Sequence, residues 1–578
     1  MTPIRRLLHY FALYRKPLLV GGLCVIGSAI FSLVKPLIVG NAVDQLSGAF
    51  TRATLVRYAL LFVGAAVVQG GFLFLQRRII IGTSRRMEFS MRGDLYEHMQ
   101  TLPLSYYQKQ RIGDLMSRAT NDLASVRMLI GPAVMHAFSS ILIVVGAFIM
   151  MFRTDRLLAM VSLLAVPVVG FLSKTFGERI HDRFRLVQDH FGQLSARVQE
   201  NLAGVRVVRA FTQEQNEMET FKRMNREYVE RNKGLIRMTA MFYPLLHTII
   251  GVMFVIVFFL GSRRIMAGQL SIGEFVAFQF YLARMIWPLI ALGWVINLFQ
   301  RGLASMKRLS EVWNVAPEQV PGIPCAVDSF DGAIEIRNLT FSYDGPPVLR
   351  NIDLKIAPGQ TVGIVGRTGS GKSTLLSLIG RLYDAPQGTI LIDGCPVEAL
   401  PVDRLREVIA MVPQETFLFS ESISENIRFG RADASEDDVR EVAELAGLSG
   451  DVVLFPQGLD TMVGERGITL SGGQKQRTAI ARALVRNPQI LMLDDALSAV
   501  DTSTEERILK SLREVRKGRT VLIVSHRVSS VKDADLVIVL EEGRIIEKGS
   551  HEELLAFDGY YSELYRRQAL AEEIEEIA

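Results

Sequence analysis

The sequence predicts an α-helical membrane domain of six transmembrane helices fused to a mostly parallel α/β domain. Three observations predict it. Six apolar stretches of roughly span length fall before residue 300. The two parts of the chain carry opposite net charge, +17 over residues 1–330 and −12 over residues 331–578. After residue 332, strand-like runs are followed by helical ones, as in a parallel sheet with crossover helices. The 578 residues are 49% hydrophobic and 22% charged, with mean hydropathy +0.24. That composition excludes intrinsic disorder, which needs low hydrophobicity and high charge. The three cysteines, Cys24, Cys325 and Cys395, are far apart, so neither a disulfide framework nor a cysteine-rich zinc module is expected.

The membrane domain is expected over residues 1–310. A helix needs about 20 apolar residues to cross the hydrocarbon core. The candidate spans lie at 17–39, 58–76, 132–152, 157–173, 238–262 and 275–299, and no formal charge occurs from Pro132 to Phe152 or from Met238 to Ser262. The first stretch is long and lacks a small-residue cleavage pattern, so no signal peptide is expected. Three connections are short and hold two Lys/Arg each; the long ones, 77–131 and 174–237, hold nine and thirteen. Basic residues near spans favour the cytoplasm. Both termini, both long loops and the second domain are therefore expected on the cytoplasmic side. The basic charge is accounted for without nucleic acid. The long loops mix apolar and charged residues at helical spacing, so they read as cytoplasmic extensions of the membrane helices. Each pair is expected to end in a turn, near Gly113–Leu115 and near Ala210–Thr212. Lys35, beside Pro36, is expected to snorkel to the interface. Arg284, in the middle of the sixth span, either lines a hydrated cavity or makes a helix-packing pair.

A linker is expected over residues 311–331, where Ala316–Asp331 is rich in proline and lacks a long apolar run. The second domain covers 332–578 and opens with the alternating run Ile334–Leu339. The apolar strand Val362–Val365 leads into Gly366-Arg367-Thr368-Gly369-Ser370-Gly371-Lys372-Ser373, followed by the helix start Thr374-Leu375-Leu376. This strand, loop and helix form a P-loop: glycines let backbone N–H groups face phosphates, and the helix N-terminus adds partial positive charge. Lys372 would reach the β- and γ-phosphates, and Ser373 would bind Mg²⁺. A second metal ligand should end a buried strand, and Ile490-Leu491-Met492-Leu493-Asp494 supplies Asp494. Leu470-Ser471-Gly472-Gly473-Gln474 opens another helix and makes a second anion site. One nucleotide has a single γ-phosphate, so two anion sites suggest a composite pocket.

With these motifs in this order, the chain resembles the ATP-binding cassette (ABC) exporters of type I, in the form of a half-transporter. The resemblance covers the whole chain. It implies ATP and Mg²⁺ as ligands. It assigns Leu470–Gln474 to the family signature, with Ser471, Gly472, Gly473 and Gln474 on nucleotide. Gln414 matches the loop glutamine that touches Mg²⁺ and the membrane domain. Tyr343 matches the aromatic that stacks on adenine. Ser498–Asp501 matches the D-loop, His526 the switch histidine on the γ-phosphate, and Glu465 the exporter x-loop. The segments Gly113–Asn121 and Val207–Glu214 correspond to the coupling helices. The family implies two such halves, with each ATP held between the phosphate loop of one chain (Gly366, Thr368, Gly369, Ser370, Gly371, Lys372, Ser373, Thr374) and the signature of the other.

One position departs from the family pattern. Glu normally follows the strand-ending Asp and polarises the attacking water; here the residue is Asp495. Its side chain is one methylene shorter, and a misplacement of about 1 Å can cost ~10²-fold in rate. The site is expected to bind ATP and hydrolyse it poorly, while the intact signature completes a second site on a partner that supplies Glu. This resembles one half of a heterodimeric bacterial multidrug exporter of the Mdl type. Its substrate would be a small hydrophobic or amphipathic compound, drug or lipid-like, met in the membrane lipid. The alternatives are a homodimeric lipid flippase that tolerates Asp495, and an ATP-gated regulatory or channel-like cassette protein.

Overall fold

The computed structural model describes residues 2–46, 51–318, 325, 329–464, 470–500, 502–515 and 518–577. The chain forms two compact units: Met1–Thr101 with Gln110–Ala316, and Leu102–Lys109 with Pro317–Ala578.

The first unit is helical. Its elements are α1 (Pro3–Leu13), α2 (Arg15–Leu46), α3 (Arg52–Gln100), α5 (Ile112–Ser117), α6 (Leu123–Met128), α7 (Val134–Thr154), α8 (Arg156–Leu163), α9 (Ala165–Ala203), α10 (Val205–Ala210), α11 (Glu214–Met266) and α12 (Ile272–Trp313); the short α4 (Leu104–Lys109) belongs to the second unit. Two π-helical turns, Arg118–Asp122 and Leu129–Ala133, join α5, α6 and α7 into one run. Among the described residues, five helical runs are long and apolar enough to cross a membrane: Arg15–Leu46, Arg52–Gln100, Ile112–Thr154, Glu214–Met266 and Ile272–Trp313. The expected stretch 157–173 is divided between α8 and α9 at Leu164, where the amide bonds three residues back to Val161 O and the chain turns. Leu60, Val67 and Phe74, spaced seven apart on α3, are 67%, 69% and 61% exposed. A stripe of that kind suits lipid and would be a liability in water.

Of the two expected turns, the second falls where periodicity placed it: α10 ends at Ala210, and Thr212 turns the chain with φ 52°. The first requires correction. Gly113–Leu115 lies inside α5, and the chain turns earlier, at Thr101–Pro103 and again at Gln110–Arg111. Pro103 lacks a donor and restricts the preceding residue, which ends α3 before the glycine is reached.

Polar contacts fasten the helices at their ends. Asp44 on α2 accepts from the Gly273 amide (2.6 Å) and the Ser271 hydroxyl (2.7 Å), at the start of α12. Gly273 permits this crossing, because a Cβ there would meet Gly40 O at 2.0 Å. Asp155 caps α8 through Leu158 N (2.9 Å) and accepts from Arg264 Nε of α11 (2.8 Å). Asp122 accepts from Ser305 Oγ (2.8 Å) and Arg308 Nε (2.9 Å) on α12. Arg284 is exposed at one side, and its Nε donates to Ser32 Oγ on α2 at 2.8 Å.

The second unit holds two sheets. An antiparallel sheet has the order β2 (Leu349–Ile356), β1 (Ile334–Phe341), β4 (Ile390–Ile392), β5 (Cys395–Pro396). The larger sheet has the order β10 (Arg544–Gly549), β9 (Leu536–Glu541), β3 (Thr361–Gly366), β8 (Thr520–Val524), β7 (Ile490–Asp494), β6 (Ile409–Val412), parallel throughout except for the β9–β10 pair. Strands β3, β7 and β8 are buried at every position, as apolar runs covered on both faces should be. The register pairs both Ile364 and Asp494 with Val524. The carboxyl ends of β3, β7 and β8 therefore open on one edge, where ligands of open parallel sheets bind. The cysteine reading needs amendment: Cys325 and Cys395, 70 residues apart in sequence, are disulfide-bonded with Cα atoms 6.2 Å apart.

Candidate nucleotide site

The loop after β3 is built by glycines whose backbone no other residue could adopt there without strain. Gly366, Gly369 and Gly371 have φ 151°, 83° and 100°, and a Cβ on Gly366 would meet Leu540 O at 2.1 Å. Gly371 caps helix α13 (Lys372–Ile379), which carries Ser373 and Thr374 in its first turn. The buried Lys372 folds back over the loop, donating from Nζ to Gly366 O (2.8 Å) and Arg367 O (2.9 Å). Burial lowers its pKa, against the raising influence of Asp494 and Asp495.

A cleft of about 190 Å³ opens over this loop. It is lined by Val348, Thr368, Gly369, Gly371, Lys372, Ser373, Thr374, Gln414, Asp494, Asp495, Val524 and His526. Four separate segments thus converge: the loop after β3, the exposed Gln414 after β6, Asp494 and Asp495 at the end of β7, and His526 after β8. The Asp495 amide donates to Val524 O at 2.9 Å, and its backbone takes φ 48°, a left-handed conformation that Asp tolerates better than most residues. The turn at His526 is fixed by Gln568 Nε2 donating to its carbonyl (2.7 Å) and by Arg527 N donating to Ser525 Oγ (2.9 Å).

Two buried oxygens in this region accept or donate no hydrogen bond among the described residues: Ser370 Oγ and Asp494 Oδ1. Asp494 is 3% exposed. Its carboxyl is pushed above the usual range first by burial, with the Asp495 charge adding to it and Ser373, Lys372 and His526 opposing. A buried carboxylate with one unpaired oxygen beside the Ser373 hydroxyl is a set of oxygens matched to a divalent cation, and the Lys372 ammonium beside them is matched to a phosphate. For an acid with a raised folded pKa, the destabilising charge is present at neutral pH and is relieved as pH falls. Asp494→Asn should therefore stabilise the nucleotide-free protein, read as a rise in the urea midpoint of the cassette transition at pH 7 that disappears at acidic pH.

Tyr343 is 45% exposed, and its hydroxyl donates to Thr374 Oγ1 at 3.2 Å. Its ring stands edge-on to Phe341 and Tyr383, each with centroids 5.0 Å away. Tyr383 lies 40 residues on in sequence and carries no motif, so only the fold reveals it. Val348, just before β2, and Val524, the last residue of β8, were likewise silent, being ordinary apolar residues.

The signature is placed differently. Ser471 and Gln474 form a reciprocal capping box at the start of helix Gly472–Leu484: Gln474 N donates to Ser471 Oγ (3.3 Å), and Ser471 N donates to Gln474 Oε1 (2.9 Å). Gln474 Nε2 also donates to Asp451 (2.8 Å). None of Ser471, Gly472, Gly473 and Gln474 lines the cleft over the phosphate loop. The buried Gln476, which sequence reasoning missed, ties this helix to the segment after Asp495, donating to Ser498 Oγ (3.0 Å) and accepting from Ala499 N (2.9 Å). Glu465 and Asp501 lie outside the described residues.

Comparison with known proteins accords with this site. Residues 18–289 match the ABC transporter transmembrane region, and residues 349–498 match the ABC transporter family of ATP-binding domains. A Bacillus subtilis protein described as a probable multidrug resistance ABC transporter ATP-binding/permease protein, YheI, is 38% identical over 94% of this chain and 93% of its own length. The multidrug resistance-like ATP-binding protein MdlA of Escherichia coli is 37% identical over 94% and 92%. Among solved structures, a bacterial Atm1-family ABC exporter with ATP bound is 28% identical and superposes with TM-score 0.80, covering 96% of this chain and 99% of that one. With an ATP-binding cassette that is an ATPase coupled to transport, and membrane helices in the same polypeptide, the chain belongs to the ABC transporters, as a type I exporter close to the Mdl-type multidrug group.

Proposed function

We propose that this chain is the ATP-retaining half of a heterodimeric exporter of hydrophobic or amphipathic compounds, seated in the bacterial inner membrane with its cassette in the cytoplasm. The observation that carries the reading is Asp495. It follows the metal-ligand strand β7, lines the phosphate cleft, and has its amide fastened to β8 at 2.9 Å. With the backbone held there, the missing methylene cannot be recovered by sliding the strand, so the carboxylate falls short of a water aligned on the γ-phosphate. Around it, Lys372 and the loop amides would hold the phosphates, Tyr343 the adenine, and His526 the γ-phosphate. Ser373, Gln414 and Asp494 would hold Mg²⁺, which when bound neutralises charge on the β- and γ-phosphates. The separation of Ser471–Gln474 from this cleft supports a signature that serves the partner's nucleotide.

The test is ATPase activity of the full chain alone, of the chain with its partner, and of the pair with the partner's Glu changed to Gln. The chain alone should turn over at least ~10-fold more slowly than the pair, and the partner substitution should bring the pair down to that level. Equal rates for the chain alone and the pair would instead support a homodimer that tolerates Asp495.

A further inference from the structure

We infer that the membrane domain selects amphiphiles with an anionic headgroup, seated by Arg284 and Lys35. This deepens the export reading by naming the substrate's charge. Arg284 lies twelve residues into α12, about 18 Å along its axis at 1.5 Å per residue. Lys35 lies eleven residues before the end of α2 at Leu46, about 16 Å by the same measure. The two helix ends are tied through Asp44 and Gly273, so the cations lie within about one helical turn of each other in depth, Arg284 toward the middle of its span and Lys35 nearer the outer end. They also sit on facing surfaces. Arg284 Nε donates to Ser32 Oγ, and Lys35 follows Ser32 by three residues on the same face of α2.

Neither cation has a carboxylate to pair with. Helix α2 contains no Asp or Glu before Asp44, α12 has none between Glu274 and Glu311, and no ion pair to Lys35 or Arg284 occurs among the described residues. Two unpaired cations at this depth are costly unless they face water or a counter-ion. The neutral Ser32 hydroxyl satisfies one donor of Arg284 and none of its charge. Arg284 also lies on an exposed aromatic stripe of α12, formed by Phe280, Trp287 and Trp294, which are 50%, 71% and 46% exposed. Spacings of three, four and seven put these residues on one face. An apolar body against the aromatic rings and an acidic group at the two cations is the complementary ligand. A cationic drug would meet repulsion there and no carboxylate.

The experiment uses the full chain in phosphatidylcholine nanodiscs. Two of its three tryptophans lie on the stripe, so intrinsic fluorescence reports occupancy. The probes share one tail: dodecyl phosphate, dodecyl maltoside and dodecyltrimethylammonium, with inorganic phosphate as the headgroup alone. Dodecyl phosphate should bind at least ~10-fold tighter than the neutral and cationic probes, and inorganic phosphate should not bind. Arg284→Gln should erase the preference and Arg284→Lys should restore it, at least in part. Equal binding of the three amphiphiles, no fluorescence response to any, or a preference unchanged in Arg284→Gln would each overturn the inference. ATP binding by the cassette, measured on the same samples, separates this from the transport reading. A lost charge preference with intact ATP binding leaves an exporter of another substrate class. A retained preference that ATP never alters leaves the anion site and removes the pump.

Discussion

Lys372→Ala should weaken ATP binding by about 10²-fold, the largest loss expected from any single change in the cassette. The ammonium is buried and already committed to two carbonyls of its own loop, Gly366 O and Arg367 O. Those bonds hold it over the loop, and burial keeps it only partly solvated, so little ordering or desolvation is left to be done when a polyphosphate arrives. A charge-assisted hydrogen bond is worth roughly 1.5–3 kcal/mol, which corresponds to about 10- to 160-fold in affinity. Removing the side chain also leaves two loop carbonyls without their donor, which loosens the curve that aims the amides. Equilibrium binding of a fluorescent ATP analogue checks this, with Lys372→Arg as the control that keeps the charge but not the compact geometry. If Lys372→Ala binds within threefold of the parent, the phosphate-loop assignment of Lys372 is wrong. Because ligand binding stabilises the folded state by mass action, the same variant should also lose most of the ATP-induced shift in the cassette's thermal midpoint.

The parts of this molecule that were legible in sequence are those where one residue type alone satisfies the backbone or the solvent. Gly366, Gly369 and Gly371 are readable because positive φ, and at Gly366 also the contact with Leu540 O, exclude other side chains. Asp494 is readable because a carboxylate ending a run of four buried apolar residues has no other reason to be there. The long uncharged stretches are readable because lipid tolerates little else. Legibility failed where several sequences satisfy the same geometry. The first expected turn falls at Thr101–Pro103 and not at Gly113, because helical periodicity runs through both places and only the proline breaks it. The stretch 157–173 is interrupted at Leu164 because Pro167 cannot donate to the Leu163 carbonyl, a break that hydropathy alone ran across. The Cys325–Cys395 bond and the packing of Tyr383 on Tyr343 join positions 70 and 40 residues apart; only the folded sheet brings them together.

Asp495→Glu is the change expected to add most activity. It should raise the ATPase rate of the chain paired with a partner whose Glu is changed to Gln by about 10²-fold, the factor attached to a misplacement of roughly 1 Å at a reacting group. The backbone there argues that the gain will come from reach and not from rearrangement. Asp495 N is held by Val524 O at 2.9 Å, its carbonyl accepts from Ser498 Oγ at 3.0 Å, and the strand that precedes it is buried at every position. The added methylene therefore extends the carboxylate toward the cleft from a fixed origin. The cost is local: φ of 48° suits Asp better than Glu, so the variant should lose up to about 1 kcal/mol of cassette stability. A faster but slightly less stable protein is a combined signature that a simple repair of folding would not give. The same variant should make the pair less dependent on the partner's Glu, so that the partner's Glu-to-Gln change no longer abolishes turnover. If Asp495→Glu binds ATP normally yet hydrolyses it no faster, the methylene is not what limits this site. The deficit would then lie in the signature supplied from the other chain.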